Sequence, residues 1–135
     1  MIGRLSDDEI PAAVALWHAA ELVRPWNDPR ADIAAALACP TATIFAARDA
    51  AGTLSGTVMA GYDGHRGWLY YLATDPAQRG QGIGTALVAA GEAWLREQGA
   101  PAVRLMIRAE NARVARFYEA LGYERGDVLN YGKRF

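Results

Sequence analysis

A glycine-rich stretch between an apolar strand and a long helix limits what this chain can fold into more than any other feature. It reads LATDPAQRGQGIGTAL, with glycines at Gly80, Gly82 and Gly84. Glycines let a ligand approach the backbone, and the first amides of a helix have no intrahelical partner. The positive end of the helix dipole lies at the same place, beside the Arg79 charge and the Thr85 hydroxyl. The stretch therefore predicts a site for a phosphate or pyrophosphate.

Two common phosphate-binding loops do not match this spacing. A P-loop requires a lysine before its final Ser or Thr, and no lysine lies near the stretch. A dinucleotide fingerprint requires Gly or Ala where Thr85 stands, and an acidic residue about 20 positions later. The chain has Gly99-Ala100-Pro101 there. The remaining pattern is Arg79-x-x-Gly82-x-Gly84, with an empty glycine turn as the alternative without a ligand.

Length and composition predict one domain over residues 1–135 and exclude several function classes. Hydrophobic residues make up 52% of the chain, enough for a core. The net charge is −1, so neither a nucleic-acid nor a membrane-surface partner is expected. Cys39 is the only cysteine, which excludes an internal disulfide. No apolar stretch is long enough for a membrane span, and we expect a soluble, cytoplasmic protein without a metal.

Hydrophobic periodicity and turn residues predict a mixed α/β fold. The expected strands are 1–5, 41–48, 53–62, 68–74, 102–107 and one or two within 123–134, and the expected helices are 8–21, 32–38, 82–98 and 111–121. An antiparallel meander followed by a parallel crossover gives a mostly antiparallel sheet with helices on both faces.

The same periodicity predicts which side chains are buried. Regular alternation in strand 68–74 places Leu69, Tyr71 and Ala73 on one face. The long helix is expected to bury a stripe formed by Ile83, Ala86, Leu87, Ala90 and Trp94, and the last helix to bury Val114, Phe117 and Leu121. Mid-helix Gly91 predicts a close approach to the sheet.

The order of elements and three motifs resemble the GNAT superfamily of N-acetyltransferases over the whole chain. The motifs are the Leu72–Pro76 run, the Arg79–Gly84 loop, and Asn111 followed by FYE, then LGY. Shorter segments look like the small bacterial YpeA-type acetyltransferases: RPWNDP, GYDGHRG and GKR. The resemblance implies acetyl-CoA as acyl donor and two central parallel strands that splay apart. It is also compatible with a homodimer.

The resemblance implies roles at matching positions. The backbone of Leu72, Ala73 and Thr74 would pair with the pantetheine arm, and the Leu72 amide would polarise the thioester carbonyl. Asn111 would contact the cofactor arm, and the Tyr118 hydroxyl would protonate the departing thiolate. A core role for Tyr118, its hydroxyl bonded to water, is the alternative. The pyrophosphate would be held by Arg79, Gly80, Gln81, Gly82, Ile83, Gly84 and Thr85.

The implied chemistry is direct attack of an uncharged amine on the acetyl thioester within a ternary complex. An acetyl-cysteine route is disfavoured because Cys39 precedes a proline and has no adjacent histidine or basic residue. Strand 68–74 contains no Asp or Glu, so the general base must come from elsewhere. The candidates are Asp63, His65, Glu21, Asp28, Asp32 or a water held by backbone carbonyls.

The acceptor end leaves the substrate open between a peptide N-terminus and a small amine. Acidic groups there suit a cationic amine before it loses its proton. The residues expected at this end are Trp26, Asn27, Asp28, Tyr62, Asp63 and His65, together with the C-terminal segment near Tyr131. A non-catalytic module that binds or senses acyl-CoA is the alternative function, since the cofactor residues suit it equally well.

Overall fold

The computed structural model describes all 135 residues, which fall into two compact units: 1–105 and 106–135. The single domain over residues 1–135 stays a prediction. In the first unit the strands are β1 (Ile2–Arg4), β2 (Ala42–Arg48), β3 (Leu54–Tyr62), β4 (Gly67–Thr74) and β5 (Val103–Arg104). Its helices are α1 (Ile10–Ala19), α2 (Pro29–Ala38) and α3 (Ile83–Gln98), with short 3-10 turns at Asp7–Glu9 and Pro76–Gln78. The second unit contains α4 (Ala112–Ala120). No helix has both the length and the apolar character to cross a bilayer.

Side-chain hydrogen bonds are present at or just before the starts of the first two helices. Glu9 Oε1 accepts the Ser6 amide at 3.0 Å and closes the 3-10 turn before α1, and the N-cap of α1 is Glu9 rather than the expected Asp8. Asp28 Oδ1 accepts the amides of Arg30 and Ala31, and α2 therefore begins at Pro29 rather than at residue 32. At α2 the cap is a short polar side chain that satisfies amides of the first turn, whereas α1 continues from the 3-10 turn without a side-chain cap.

The sheet has the order β1-β2-β3-β4-β5, antiparallel except for the parallel pair β4–β5. That pair has only two rungs, Gly67 with Val103 and Trp68 with Arg104. Strand β4 continues to Thr74 after the ladder to β5 has ended, and the splay of the two strands stays a prediction. The mixed α/β fold with helices on both faces is confirmed.

The prediction that residues 123–134 complete the sheet is wrong. The sheet ends at β5, and no strand forms in that segment. The side chains of Val128 and Leu129 are 86% and 81% exposed, so the segment has no buried face. A strand is stabilised mainly by packing on neighbouring strands and by burial of its side chains, and the side chains of this segment are not buried. Strand β5 is likewise shorter than the expected 102–107.

Helices α1 and α2 cover one face of the sheet and α3 covers the other. The α1 side is built around buried Trp17, Ile33 and Ile44. On the α3 side the buried stripe comprises Leu87, Val88, Gly91, Trp94 and Leu95. Leu87 and Trp94 belong to the predicted stripe, but Ala86 is exposed and Ile83 and Ala90 are only partly buried.

The stripe of α3 is rotated because the helix approaches the sheet through Gly91. A Cβ at Gly91 would lie 2.9 Å from Leu69 Cδ2, too close for a side chain. A Cβ at Gly56 of β3 would lie 2.8 Å from Leu87 Cδ1. The expectation that Gly91 serves a close approach is confirmed, and this approach sets which residues face the sheet.

In the second unit Asn111 caps α4, as expected, because its Oδ1 accepts the Val114 amide at 3.3 Å. The predicted burial is wrong for Val114, Phe117 and Leu121, which are only partly buried. The buried side chain is Tyr118, 6% exposed, with edge-on ring contacts to Phe117 and Tyr123.

Candidate active site

The glycine stretch forms an open loop that presents the start of α3. Gly80 and Gly82 have φ angles of +84° and +75°, which side-chain-bearing residues rarely adopt. Gly82 is the N-cap of α3 and has no side chain to satisfy the first amides. A Cβ at Gly80 or Gly82 would meet no atom within 4 Å, so the space above the backbone is open.

Charge and polarity around this loop suit an anion. Arg79, Gln81 and Thr85 are exposed, while Ile83 and Gly84 are partly buried under the first turn. A guanidinium, a hydroxyl and uncapped amides at the positive end of a helix are the donors that a phosphate requires. The residues present therefore match the pyrophosphate of a CoA ester.

Strand β4 contains a bulge directly before the loop. Tyr70 pairs with Met59 and Ala73 pairs with Thr57, so Tyr71 and Leu72 both lie opposite Val58. Tyr71 has a φ of +51°, a left-handed conformation that is uncommon outside glycine. The extra residue interrupts the alternation of faces.

The bulge overturns the prediction that Leu69 and Tyr71 share a face. Leu69 packs towards Gly91 of α3, whereas the Tyr71 ring stacks on Trp17 of α1 at 3.7 Å with an interplanar angle of 3°. Ala73 is buried in the α1-side core. Leu72, predicted to polarise the thioester, thus lies at the irregular point of the strand.

Hydrogen bonds hold the bulge from the α1 side. The Trp17 indole donates to Thr57 Oγ1 at 2.8 Å, and the Thr57 hydroxyl donates to the Tyr71 carbonyl at 3.0 Å. Neither Thr57 nor Tyr71 is among the site residues that the sequence predicts. The only feature of the sequence that could have indicated Thr57 is a threonine placed among apolar residues of a predicted strand.

The Tyr71 hydroxyl forms hydrogen bonds with two residues that the sequence singled out, one in the loop before α2 and one in α2. It donates to Asp32 Oδ2 at 2.5 Å and accepts from Asn27 Nδ2 at 3.0 Å. Burial, then the Asp32 carboxylate, raises the pKa of Tyr71 far above its ordinary value. The predicted acceptor residue Asn27 and the candidate base Asp32 therefore lie together, beside the bulge.

The other residues of that region have separate positions. Asp28 is exposed and caps α2, and Trp26 is 55% exposed in the loop before it. Glu21 follows α1 with a φ of +59°, and its carbonyl accepts from the Arg24 guanidinium.

Asp63 organises the turn between β3 and β4. Its Oδ1 accepts the amides of His65 and Arg66, both at 2.7 Å, and its Oδ2 accepts the Trp68 indole at 3.2 Å. The two backbone hydrogen bonds lower the pKa of Asp63. A carboxylate that is stabilised in this way is a weaker base, which disfavours Asp63 as the general base.

His65 and Tyr62 lie at the same turn. His65 is exposed, with its Nδ1 3.3 Å from the Arg66 guanidinium, and Tyr62 is partly buried at the end of β3. This turn precedes β4, whereas the glycine loop follows it. The structure thus separates the predicted acceptor residues into two groups: Asn27 lies beside Tyr71 within β4, and Tyr62, Asp63 and His65 lie at the turn before β4.

The remaining predicted residues belong to the second unit. Asn111 is exposed and its side-chain oxygen is used by the α4 cap. Burial raises the pKa of Tyr118 to about 12, so its hydroxyl keeps its proton at neutral pH. A protonated phenol is the form that a general acid requires.

Comparisons with known proteins identify the class. The sequence matches the acetyltransferase (GNAT) family over residues 12–123. An acetyltransferase from Pectobacterium atrosepticum is 42% identical over 127 residues, which cover 94% of this chain and 89% of the relative. The chain belongs to the GNAT acetyltransferase family and is an acetyl-CoA-dependent acetyltransferase.

Solved structures share the fold. The ribosomal-protein-S18-alanine N-acetyltransferase of Escherichia coli has a TM-score of 0.79 and 25% identity, covering 93% of this chain and 78% of its own. An aminoglycoside acetyltransferase, AAC(6')-Iy, solved with a CoA-containing bisubstrate analogue, has a TM-score of 0.84 and 21% identity, covering 100% and 98%. The predicted family is confirmed, and the YpeA-type subgroup stays a prediction.

Proposed function

We propose that this protein is a cytoplasmic N-acetyltransferase that moves the acetyl group of acetyl-CoA to a primary amine by direct attack in a ternary complex. One observation carries the proposal: a bulge at Tyr71–Leu72 is followed within the same strand and turn by an open glycine loop at a helix start. A CoA thioester has a carbonyl at one end and a pyrophosphate towards the other. In this proposal the bulge offers a backbone donor to the carbonyl, and the loop offers donors to the pyrophosphate.

Each group of residues has one task in this proposal. The loop from Arg79 to Thr85 binds the pyrophosphate through its amides, hydroxyl and guanidinium. The backbone of Leu72, Ala73 and Thr74 pairs with the pantetheine arm, assisted by Asn111. The donor supplies an activated acetyl group, and the Leu72 amide stabilises the negative charge that develops on its carbonyl oxygen. Tyr118 donates its proton to the leaving thiolate.

The acceptor is a primary amine presented near the Tyr71 side chain. Asn27 and Asp32 lie there with Trp26 and Asp28 in the adjoining loop, and Tyr62, Asp63 and His65 line the turn before β4. Carboxylates favour a cationic amine, and Asp32 or His65 is available to take its proton. Both a peptide N-terminus and a small amine satisfy this chemistry. The Escherichia coli relative named for the alanine of ribosomal protein S18 supports testing peptides first.

The first experiment is a calorimetric titration with acetyl-CoA on the wild-type protein and Gly82→Trp. The indole would occupy the open space above the loop, where the protein itself has no atom within 4 Å. We expect saturable binding by the wild type and a loss of at least roughly 100-fold in affinity in the variant, because the phosphate would lose its amide donors.

Gly52→Trp is the matched control. Gly52 also has a positive φ, +81°, and an open surface, but it lies in the turn between β2 and β3. The control should bind acetyl-CoA like the wild type. Equal binding by Gly82→Trp would contradict the loop assignment. Binding without turnover of any peptide or amine would favour the acyl-CoA-sensing function instead.

A further inference from the structure

We infer that Thr57 is a positioning residue for acyl transfer, because its hydroxyl orients the peptide group that carries the Leu72 amide. The inference rests on the proposed function, in which that amide polarises the thioester carbonyl. Thr57 would touch neither substrate. It would act through the backbone of the bulge.

The hydrogen-bond direction at Thr57 is defined by its partners. The side chain is 0% exposed, and its Oγ1 lies 2.8 Å from Trp17 Nε1 and 3.0 Å from the Tyr71 carbonyl oxygen. An indole N–H can only donate, so the single hydroxyl proton of Thr57 is directed at the carbonyl. Trp17 therefore sets the direction in which Thr57 donates.

The Tyr71 carbonyl and the Leu72 N–H belong to one peptide group. The chain contains no cis peptide bond, and in a trans peptide the C=O and N–H point in opposite directions. Holding the carbonyl towards Thr57 therefore directs the Leu72 N–H away from it. A hydrogen bond accepted by the carbonyl also polarises the amide, which strengthens its N–H as a donor.

The bulge needs such a contact because its backbone is unusual. Tyr71 is one of two residues other than glycine with a positive φ, the other being Glu21. Conformations of this kind persist only where the surroundings hold them. The stack of Tyr71 on Trp17 holds the side chain, whereas the Thr57 hydroxyl is the contact that holds the peptide plane.

The test uses acetyl-CoA labelled with ¹³C at the thioester carbonyl, whose chemical shift reports hydrogen bonding to that oxygen without an identified amine. Thr57→Val removes the hydroxyl at nearly constant shape, and Thr57→Ser retains it. Thr43→Val is the matched control, a second buried threonine, on β2.

We expect a downfield shift on binding to the wild type, Thr57→Ser and Thr43→Val, and loss of most of that shift in Thr57→Val. With an amine that is turned over, kcat of Thr57→Val should fall roughly 10- to 100-fold while KM for acetyl-CoA changes less than about threefold, as for a misaligned donor. If Thr57 only stabilised the fold, its replacement would not lower kcat while leaving KM for acetyl-CoA nearly unchanged.

The outcomes separate the inference from the proposed function. Failure of the wild type to bind acetyl-CoA would overturn the proposed function. Binding with no carbonyl shift in the wild type would overturn the Leu72 role in the proposed function and the inference with it, whereas a full shift and full kcat in Thr57→Val would overturn the inference alone. If circular dichroism shows that Thr57→Val is unfolded, Thr57→Cys replaces it, because a thiol is a weak donor of similar size. A full shift in folded Thr57→Cys would equally contradict the inference.

Discussion

Burial defines the chemical state of the Tyr118 hydroxyl. The side chain is 6% exposed, and desolvation of its charged form raises the pKa to about 12. The phenol therefore holds its proton across the working pH range, and its ring is fixed by edge contacts to Phe117 and Tyr123. The raised pKa keeps the proton on the phenol and also makes the phenol a weaker acid, so it can stabilise a departing thiolate only through a hydrogen bond that tightens as the thiolate leaves.

Tyr118→Phe should lower kcat roughly 100-fold or more, the range for loss of a general acid, while the ring contacts persist. Release of free thiol measures turnover, and CoA calorimetry on the same protein should give an unchanged affinity. In the wild type, ionisation of Tyr118 should produce no alkaline limb of kcat below pH values near its pKa of about 12. Undiminished turnover in the variant would assign Tyr118 to the core alone.

At the scale of elements, the entry to α1 is tied to the sheet by one ion pair. Glu9 closes the Ser6 turn and also accepts from Arg48 of β2, at 2.7 Å from Nε and 2.5 Å from Nη2. These bonds, the one to Arg48 above all, lower the pKa of Glu9 to about 2. A local helix cap thereby joins residues far apart in sequence.

The sign of the pH dependence follows from that lowered pKa. The ionised form is favoured in the folded state, so the contribution is complete above the ordinary pKa of 4.5 and is lost as the pH falls towards about 2. Glu9→Gln should therefore reduce the free energy of unfolding at pH 7 by about 1–2 kcal/mol, with a smaller loss near pH 3. Urea titrations at pH 7 and pH 3 measure the free energy of unfolding of the wild type and of Glu9→Gln.

Glu97→Gln is the control, because Glu97 is an exposed glutamate on α3. It should leave stability unchanged within about 0.5 kcal/mol at both pH values. An equal loss in Glu9→Gln at pH 7 and pH 3 would contradict a role of the ionised carboxylate.

The elements differ in how far the sequence predicts them. Helix α3 and strands β2 to β4 lie within one or two residues of their predicted bounds, because their signals are local periodicity and turn residues. The glycine loop was also predictable, since Gly80 and Gly82 mark left-handed backbone. The bulge at Tyr71 was not, because it arises from the register between β3 and β4.

For the whole molecule, the proposed ternary complex requires no covalent acetyl-enzyme. Cys39 lies just after α2, where a hydrogen bond with Thr41 lowers the pKa of its thiol. A lowered pKa increases the fraction of Cys39 that is thiolate, which is the nucleophilic form of the side chain. A substitution at Cys39 therefore tests the covalent route. Cys39, however, lies between α2 and β2, whereas the bulge lies within β4 and the glycine loop follows β4.

Cys39→Ser should keep kcat within about twofold of the wild type, because direct attack uses no thiol nucleophile. Initial rates at varied acetyl-CoA and amine should give intersecting double-reciprocal lines in both proteins. Parallel lines in the wild type, together with a loss of turnover in a folded Cys39→Ser protein, would instead establish a two-step route.

The sequence by itself determined the elements of the sheet up to β4, the helices and the glycine loop of this acetyltransferase. These depend on neighbouring residues: apolar spacing, capping side chains and the glycines that permit left-handed backbone. Such signals act within a turn or a strand, and a single sequence displays them directly.

Only the tertiary structure decided how Thr57, Tyr71 and Leu72 are arranged, which stripe of α3 is buried, and that residues 123–134 form no strand. Each of these depends on contacts between segments distant in sequence. At the bulge, the Tyr71 carbonyl accepts from the Thr57 hydroxyl and the Tyr71 ring stacks on Trp17, and the α3 stripe faces the sheet where Gly91 permits a close approach. Packing and register are properties of paired surfaces, so local pattern alone does not specify them.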